Sequence, residues 1–472
     1  MSGGAVPPGE HSQHRTGGAL ITLQQTIDRV LQLSRSDACI VIARRVASVN
    51  IRWAHNAVTT NGDADDVQLT VIAIAGRRAA SVTRTYFPQE RLEGIVREAE
   101  AACARRPDAP DYMPLLEGTG EPGDWSAPPA DSDIHVFDPF IPQLRKLYDE
   151  ARSAGIATFG YSEYQTATTF VAASTGVRRR DTERIGKVEI TGKTQDFTRS
   201  SWVGQITHDF LDIDLGAMFD TLRQRLGWAA RRIDMPAGPY EVLFEPSAAA
   251  DLAIGAYWFM TRRDADEGRS PYSKPGGGTR IGERLFGNVT MYSDPHERGI
   301  EAAPFHYGVD SSGAASVFDN GLGLTRTEWV RDGVLQNLIT PRYWSAKADS
   351  PVVPYVNNLI VEGRGPALSD MIARTDRALI VTCLWYIRTV DPQSALVTGL
   401  TRDGVFLVER GEVKGAVNNF RWNMSPIAAM AQVTETGQGG LALPREHDDF
   451  LRSKAPALRI EHFNMSSVSE AS

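Results

Sequence analysis

The sequence is short of the features that mark several protein classes. Among 472 residues there are three cysteines, Cys39, Cys103 and Cys383, an odd and widely spaced set that suits reduced, buried thiols in a cytoplasmic protein rather than a disulfide framework. No segment reaches the roughly 18 unbroken apolar residues that a spanning helix needs, so no membrane is expected as a partner. Its 50 Lys and Arg stand against 58 Asp and Glu and form no block, and a formal net charge of -8 offers no clustered positive field to nucleic acid. The opening stretch MSGGAVPPGEHSQHRTGGA holds no apolar run, and residues 1–19 are expected to be a disordered tail rather than a signal peptide or anchor.

Motifs that carry chemistry are missing as well. A zincin places two imidazoles at i and i+4 on one helix face, and none of the nine histidines is spaced in that way. His296-Glu297 begins like such a motif but continues Arg298-Gly299-Ile300 after Asp294-Pro295, which favours a surface turn. His208-Asp209 with Asp212 and Asp214 gathers donors that a hard cation accepts, yet ahead of a helix such residues read better as a solvated edge with charge near the helix N-terminus. There is no Gly-x-Ser-x-Gly elbow, and Cys383 lies inside the apolar run LIVTCLWY, where a thiol stays protonated. Ser273-Lys274-Pro275-Gly276-Gly277-Gly278 lacks the Gly-Lys-Ser/Thr ending of a phosphate loop and reads as a loop able to close over a peptide.

What remains is an ordinary globular composition, 42% hydrophobic and 23% charged, in a chain long enough for two or three cores. Leu20, Leu23, Ile27, Val30 and Leu31 keep helical spacing, β-branched runs follow at Cys39 to Val49 and Val67 to Ala75, and Arg78 to Tyr86 can fold back across Gly76-Arg77. Leu92, Ile95, Val96, Ala99 and Cys103 mark a second helix. Six prolines between Arg106 and Asp133 predict a linker or surface connection. Beyond it, helices near Leu144 to Ala151 and Leu215 to Arg232 bracket strands at Phe159 to Ser174 and Lys187 to Asp196. Tyr240 to Glu245 predicts a strand leading through Pro246-Ser247 into a helix, and short strands with turns at Arg331-Asp332-Gly333 and Arg410-Gly411 fill the rest. The expected fold class is α+β, with mixed domains at 20–106 and 134–234, a Pro-rich linker at 107–133, a larger β-rich C-terminal domain at 239–449, and a tail at 450–472.

YEVLFEPSAAADLAIGAYWFMTRR (Tyr240 to Arg263) resembles the opening of the C-terminal domain of the TldD/PmbA (TldD/TldE) metallopeptidase family. GERLFGNVTMYSDP, FDNGLGLTRTEWVRDGVLQNLI and TGLTRDGVFLVERGEVKGAVNNFRWNMSP resemble successive segments of that domain, in family order. The resemblance implies that catalytic members carry His-Glu-x-x-x-His on the helix after this strand, with zinc on the two histidines and the glutamate as general base. Here Leu252-Ala253-Ile254-Gly255-Ala256-Tyr257 stands approximately there, and none of these side chains can ligate zinc or abstract a proton. The likeness is therefore to the TldE type. It implies no catalytic, cofactor or metal residue in this chain and zinc in a TldD-type partner subunit. It also implies a heterodimer that degrades or processes extended or unfolded peptides, with this chain forming part of the substrate cavity.

Two other readings stay open at this point. One is an independent peptidase assembled from remote residues such as His208, His306 and Cys383. The other is a homo-oligomeric peptide-binding or scaffold protein, in which Trp258, Trp329, Trp344, Trp385 and Trp422 supply contact area, although core packing is the plainer role for tryptophan.

Overall fold

The computed structural model describes residues 21–118 and 122–470, so the 1–19 tail lies outside the described residues. Strands β1 (Ala38–Ala54), β2 (Ala57–Ala75), β3 (Arg78–Arg84), β4 (Ile156–Ala173), β5 (Arg178–Thr194) and β6 (Ser200–Thr207) form one sheet in the order β3-β2-β1-β4-β5-β6. β1 pairs with β4 from Ile40 opposite Ala173 to Ala54 opposite Phe159. The segments 20–106 and 134–234, read from the sequence as separate domains, therefore share a single sheet. The reason lies in β1, whose alternation runs past Val49 through Ile51 and Trp53, making it long enough to join both halves. Its hairpin to β2 turns at His55 and Asn56, with φ of 51° and 60°, the pair of positive angles that a type I′ turn requires. Gly160 stands opposite Trp53, and a Cβ there would lie 2.0 Å from Trp53 Cζ2, so only glycine leaves room for the indole.

The two faces of this sheet have different partners. Cys39, Val41 and Ala43 of β1 meet the helices α1 (Leu23–Leu33) and α2 (Leu92–Ala104). On the same face, Val49, Ile51 and Trp53 meet α3 (Ile141–Ser153) and α4 (Leu215–Trp228). Ile40 and Ile42 point the other way and, with Ile72, Ile74 and Val171, pack on Phe305, Val317 and Phe318 of the C-terminal part. The Pro-rich segment serves both faces: Ala109, Tyr112, Met113, Leu115 and Leu116 pack beside Phe305 and Phe318, while on the first face Trp125 meets Phe170 edge-on at 5.4 Å and Gln24 donates to the carbonyls of Trp125 and Ala127 at 2.8 and 2.9 Å.

The C-terminal part is built on an eleven-stranded sheet that includes β7 (Arg232–Ile233) and β8 (Gly238–Phe244), with a four-stranded sheet beside it. Residues 450–472, read as a tail, instead contain the strand Ser453–Met465, which lies between β8 and Leu359–Val361 and also pairs with Val433–Leu441. Its Ala455, Leu458, Ile460, Phe463 and Met465 are wholly buried. Pro456 hides this strand in the sequence, because a proline argues against a central strand; here it stands opposite Gly439, beside an irregular stretch of the pairing. The turns at Asp332-Gly333 and Arg410-Gly411 have positive φ at both positions and close two hairpins of the large sheet.

Leu458 is packed in the largest core cluster, so Leu458→Ala is expected to lower unfolding free energy by about 2–5 kcal/mol, read as a shifted urea midpoint at unchanged slope.

Candidate functional site

The helix that follows β8, α5 (Pro246–Trp258), organises the candidate site. Glu245 caps it with extended backbone, φ -70° and ψ 163°, and Pro246 supplies the fixed φ that suits the first helical position. Every residue from Ser247 to Tyr257 is buried, which is what a helix apolar on all sides demands. No histidine occurs between Glu245 and Met260, and the carboxylates there are Glu245 and Asp251. Glu245 is paired with Arg225 of α4, whose guanidinium also donates to the Trp202 carbonyl at 2.6 Å.

Asp251 is fully buried and holds the segment 443–448 across α5. Its carboxyl accepts the backbone N–H groups of Glu446 at 3.2 Å and His447 at 3.0 Å. Burial nevertheless dominates these favourable bonds and pushes Asp251 up to about 8, with the nearby Glu446 charge acting in the same direction. Ser247 Oγ donates to the Leu443 carbonyl at 2.6 Å and fixes the other end of the strap.

Two cavities flank the strap. The outer one, about 340 Å³, is bounded by Lys187, Glu189 and Trp202 of the N-terminal sheet and by Trp385 and Arg388 across from them. Arg445 lies 4.9 Å from the Trp202 ring and 5.0 Å from the Trp385 ring. It pairs with Asp403 at 3.0 Å and donates to Cys383 Sγ at 2.9 Å, while Asp403 also accepts from Ser200 Oγ at 2.7 Å. Glu446 accepts from the backbone N–H groups of Tyr386 and Ile387 at 2.7 and 3.0 Å and pairs with Arg388 at 2.6 Å. The inner cavity, about 260 Å³, is mostly apolar and lies between α5, Trp422 and His447.

The residues singled out in the sequence are scattered. His296 sits in the turn after Asp294, and Glu297 pairs with Lys454 at 2.5 Å. His208 is 3.9 Å from Glu301, Asp212 accepts from Thr207, and Asp214 caps α4 through the Ala217 N–H. His306 is enclosed in its own loop, with its backbone N–H on the Leu322 carbonyl at 2.8 Å, and burial lowers the pKa of its imidazole to about 4. Cys383 is wholly buried, its thiol pushed up by that burial and donating to the Arg402 carbonyl at 3.2 Å. His208, His306 and Cys383 thus have separate surroundings and form no catalytic set. Ser273 to Gly278 is a tight turn closed by Lys274 N–H on the Gly278 carbonyl at 2.8 Å. Trp329, Trp344 and Trp422 are buried, Trp385 is half-buried, and Trp258 is exposed. The sequence reading missed Asp251, Arg445 and His447; an aspartate within the apolar helix SAAADLAIGAYW was the one signal available. Among the described residues no group of three His, Cys, Asp or Glu stands close enough to hold a metal ion.

Residues 237–467 match the family model described as the PmbA/TldA metallopeptidase C-terminal domain. No curated protein matches the chain. TldE from Thermococcus kodakarensis is similar in structure, with a TM-score of 0.76 at 14% identity over 93% of this chain and 98% of that one. A proposed modulator of a DNA gyrase from Thermotoga maritima MSB8 gives 0.74 at 13% identity, over 94% and 100%. Another from Bacteroides thetaiotaomicron VPI-5482 gives 0.72 at 14%, over 94% and 98%. At these identities the likeness establishes the α+β fold.

Two predictions concern the strap. Because the folded Asp251 lies near 8 against 3.8 for the free carboxyl, the native state keeps a proton that the unfolded chain has released. The resulting stability is complete below the unfolded value and is lost as pH rises through the folded one, at ~1.4 kcal/mol per pH unit in between. Asp251→Asn should flatten this slope, checked by urea midpoints between about pH 4 and pH 8. Arg445→Ala should cost about 3 kcal/mol by leaving Asp403 buried without its close partner. That is the lower end of the usual range, because Arg402 remains 3.5 Å away; adding Asp403→Asn should recover part of the loss in the same measurement.

Proposed function

Through its C-terminal domain, residues 237–467, the chain belongs to the PmbA/TldD metallopeptidase family, and from that premise we propose that it is a non-catalytic, TldE-like subunit. It pairs with a TldD-type chain that holds zinc and cleaves extended or unfolded peptides. This chain contributes one wall of the substrate cavity. The carrying observation is α5, a buried helix without histidine whose Leu252 to Tyr257 offer no metal donor, and both local carboxylates are committed elsewhere, Glu245 to Arg225 and Asp251 to the strap. A largely protonated, buried Asp251 and a single nearby imidazole, His447, do not fit a zinc site, which needs three or four deprotonated donors. Hydrolysis is therefore assigned to the partner.

The role of this chain is positional. The outer cavity presents charges of both signs, Lys187 and Arg388 with Glu189 and Asp448, around two tryptophans, a surface suited to peptide backbone and mixed side chains. All three cysteines are free and buried, which suits the reducing cytoplasm proposed as its location. No helix among the described residues is long and apolar enough to cross a membrane.

The expected result is that the purified chain holds no stoichiometric zinc and cleaves no unfolded substrate alone. Mixed with a family member bearing His-Glu-x-x-x-His, it forms a heterodimer whose peptidase activity a chelator abolishes. One tightly bound zinc per isolated chain, with chelator-sensitive cleavage, would overturn the reading. Self-association with no affinity for such a partner would point to a homo-oligomeric binding protein.

A further inference from the structure

An edge strand leaves a row of N–H and C=O groups open to pairing with another chain, and folds blunt such rows with charge, bulges, short length or cover. Most sheet edges of this molecule are blunted in that way. Val334–Leu335, β7 and Ser467–Val468, which end their sheets, are two residues each. At Leu384–Asp391 the pairing shifts register twice, and Glu446 takes the N–H groups of Tyr386 and Ile387. Val433–Leu441 is covered through Gly437 and Gly439, which bond to Gly365 and Gly363 at 3.1 and 3.0 Å. In the N-terminal sheet β3 is short, and its Ser81 holds Asp310 at 3.0 Å. On β6 the Trp202 carbonyl is taken by Arg225. The part of β5 that extends past β6 is densely charged, with Arg178, Arg179, Arg180, Asp181, Glu183 and Arg184.

The exception is β2. Among the described residues, β1 alone pairs with residues 57–68, because β3 joins from Leu69 onward. None of the side chains from Ala57 to Gln68 is buried, and Val58 is 51% exposed. The pairing with β1 runs without a bulge from Thr60 to Ile74, and at about 3.4 Å per residue the open row is about 40 Å long. Roughly half of its N–H and C=O groups face away from β1. A strand held on one edge, burying no side chain and neither bent nor covered, is completed by another strand.

Its residues restrict that strand. Val58, Thr59 and Thr60 are β-branched and favour pairing. Asp63, Asp65 and Asp66 make the other half acidic; Asp65 is paired with Arg45 at 2.8 Å, while Asp66 accepts from the neutral Gln68 amide at 3.1 Å and Asp63 stands exposed. A second copy of this chain would bring three more carboxylates and a further net charge of -8 to the same strip. Like charges across paired strands are destabilising, whereas Lys or Arg opposite Asp63 and Asp66 adds favourable cross-strand pairs.

We infer that residues 57–68 are a docking edge, on which a basic edge strand of a partner protein pairs and extends the six-stranded sheet. Identifying that protein as the TldD-type subunit rests on the function proposed above.

The full chain is mixed with a family member bearing His-Glu-x-x-x-His, and the complex is followed by sedimentation velocity and amide hydrogen exchange. Amides of residues 57–68 that face away from β1 should exchange freely in the isolated chain and be slowed at least about tenfold in the complex. Asp63→Lys with Asp66→Lys should weaken association about tenfold and reduce its sensitivity to salt, and the Asn pair, which removes charge without reversing it, should lose less. Both positions are exposed, so thermal unfolding of these variants should match the wild type. A complex with unchanged exchange over 57–68, or one that both variants form as tightly as the wild type, would overturn the proposal and leave the heterodimer reading standing. Protection that appears in the chain alone and fades on dilution gives the edge to a second copy; protection by an unfolded peptide without the partner gives it to substrate. Either result overturns the assignment to a subunit. Absence of any complex overturns the heterodimer reading itself, and this proposal with it.

Discussion

The constraint on which the rest of the C-terminal part depends is that α5 has no polar face. A helix with Ala, Leu, Ile and Tyr on every side cannot rest on a surface; it must be surrounded. The strand Ser453–Met465 covers one side and the short helix Pro426–Ala431 another, where Pro426 comes so near that a Cβ on Gly255 would lie 3.2 Å from its Cγ. The remaining side is closed by irregular chain at 443–448, and irregular chain carries unpaired N–H groups. Asp251 answers that need by accepting two of them inside the core. One buried carboxyl on an apolar helix is thus the consequence of closing the helix with a loop rather than with another strand.

That strap also joins the two parts of the molecule. Beside it, Lys187 of β5 pairs with Asp448 at 3.1 Å, Arg452 pairs with Glu183 at 3.4 Å, and Ser200 of β6 donates to Asp403. Asp448 is exposed, but both members of the Arg452–Glu183 and Arg445–Asp403 pairs have little exposed side-chain surface, so those two pairs are held in a low-dielectric setting where removing one partner costs more than the pair itself contributes. Such contacts set register more than they add stability. With the apolar contact of Ile185, Trp202 and Ile206 on Tyr292, Ile300 and Leu443, they fix the width of the outer cavity.

Much of the local structure was legible in the residues. The periodicity of Leu92, Ile95, Val96, Ala99 and Cys103 marks α2, and the run from Tyr240 through Pro246 marks β8 and the start of α5. The errors share a cause. Whether β1 ends at Val49 or continues to Ala54 depends on a partner, β4, more than a hundred residues away, and local alternation carries no signature of that pairing. Pro456 likewise masked a strand that only the surrounding sheet makes tolerable. At the site, motif reasoning located the helix correctly, since motifs are local, but it could not find the strap, because Asp251 and His447 meet only through the fold.

Burial sets the state of the titratable groups around the strap. Burial raises the Cys383 thiol, raises the Asp251 carboxyl to about 8, and lowers the His447 imidazole. At neutral pH each shift favours the uncharged form. Catalytic sites use burial in the same way, to hold a carboxyl protonated or an imidazole neutral near pH 7, so the shifts describe the setting of these groups. Desolvation without a compensating charge leaves groups that offer neutral hydrogen bonds among aromatic rings. The apolar burial around α5 that sets these shifts also favours neutral over charged groups as neighbours of the strap.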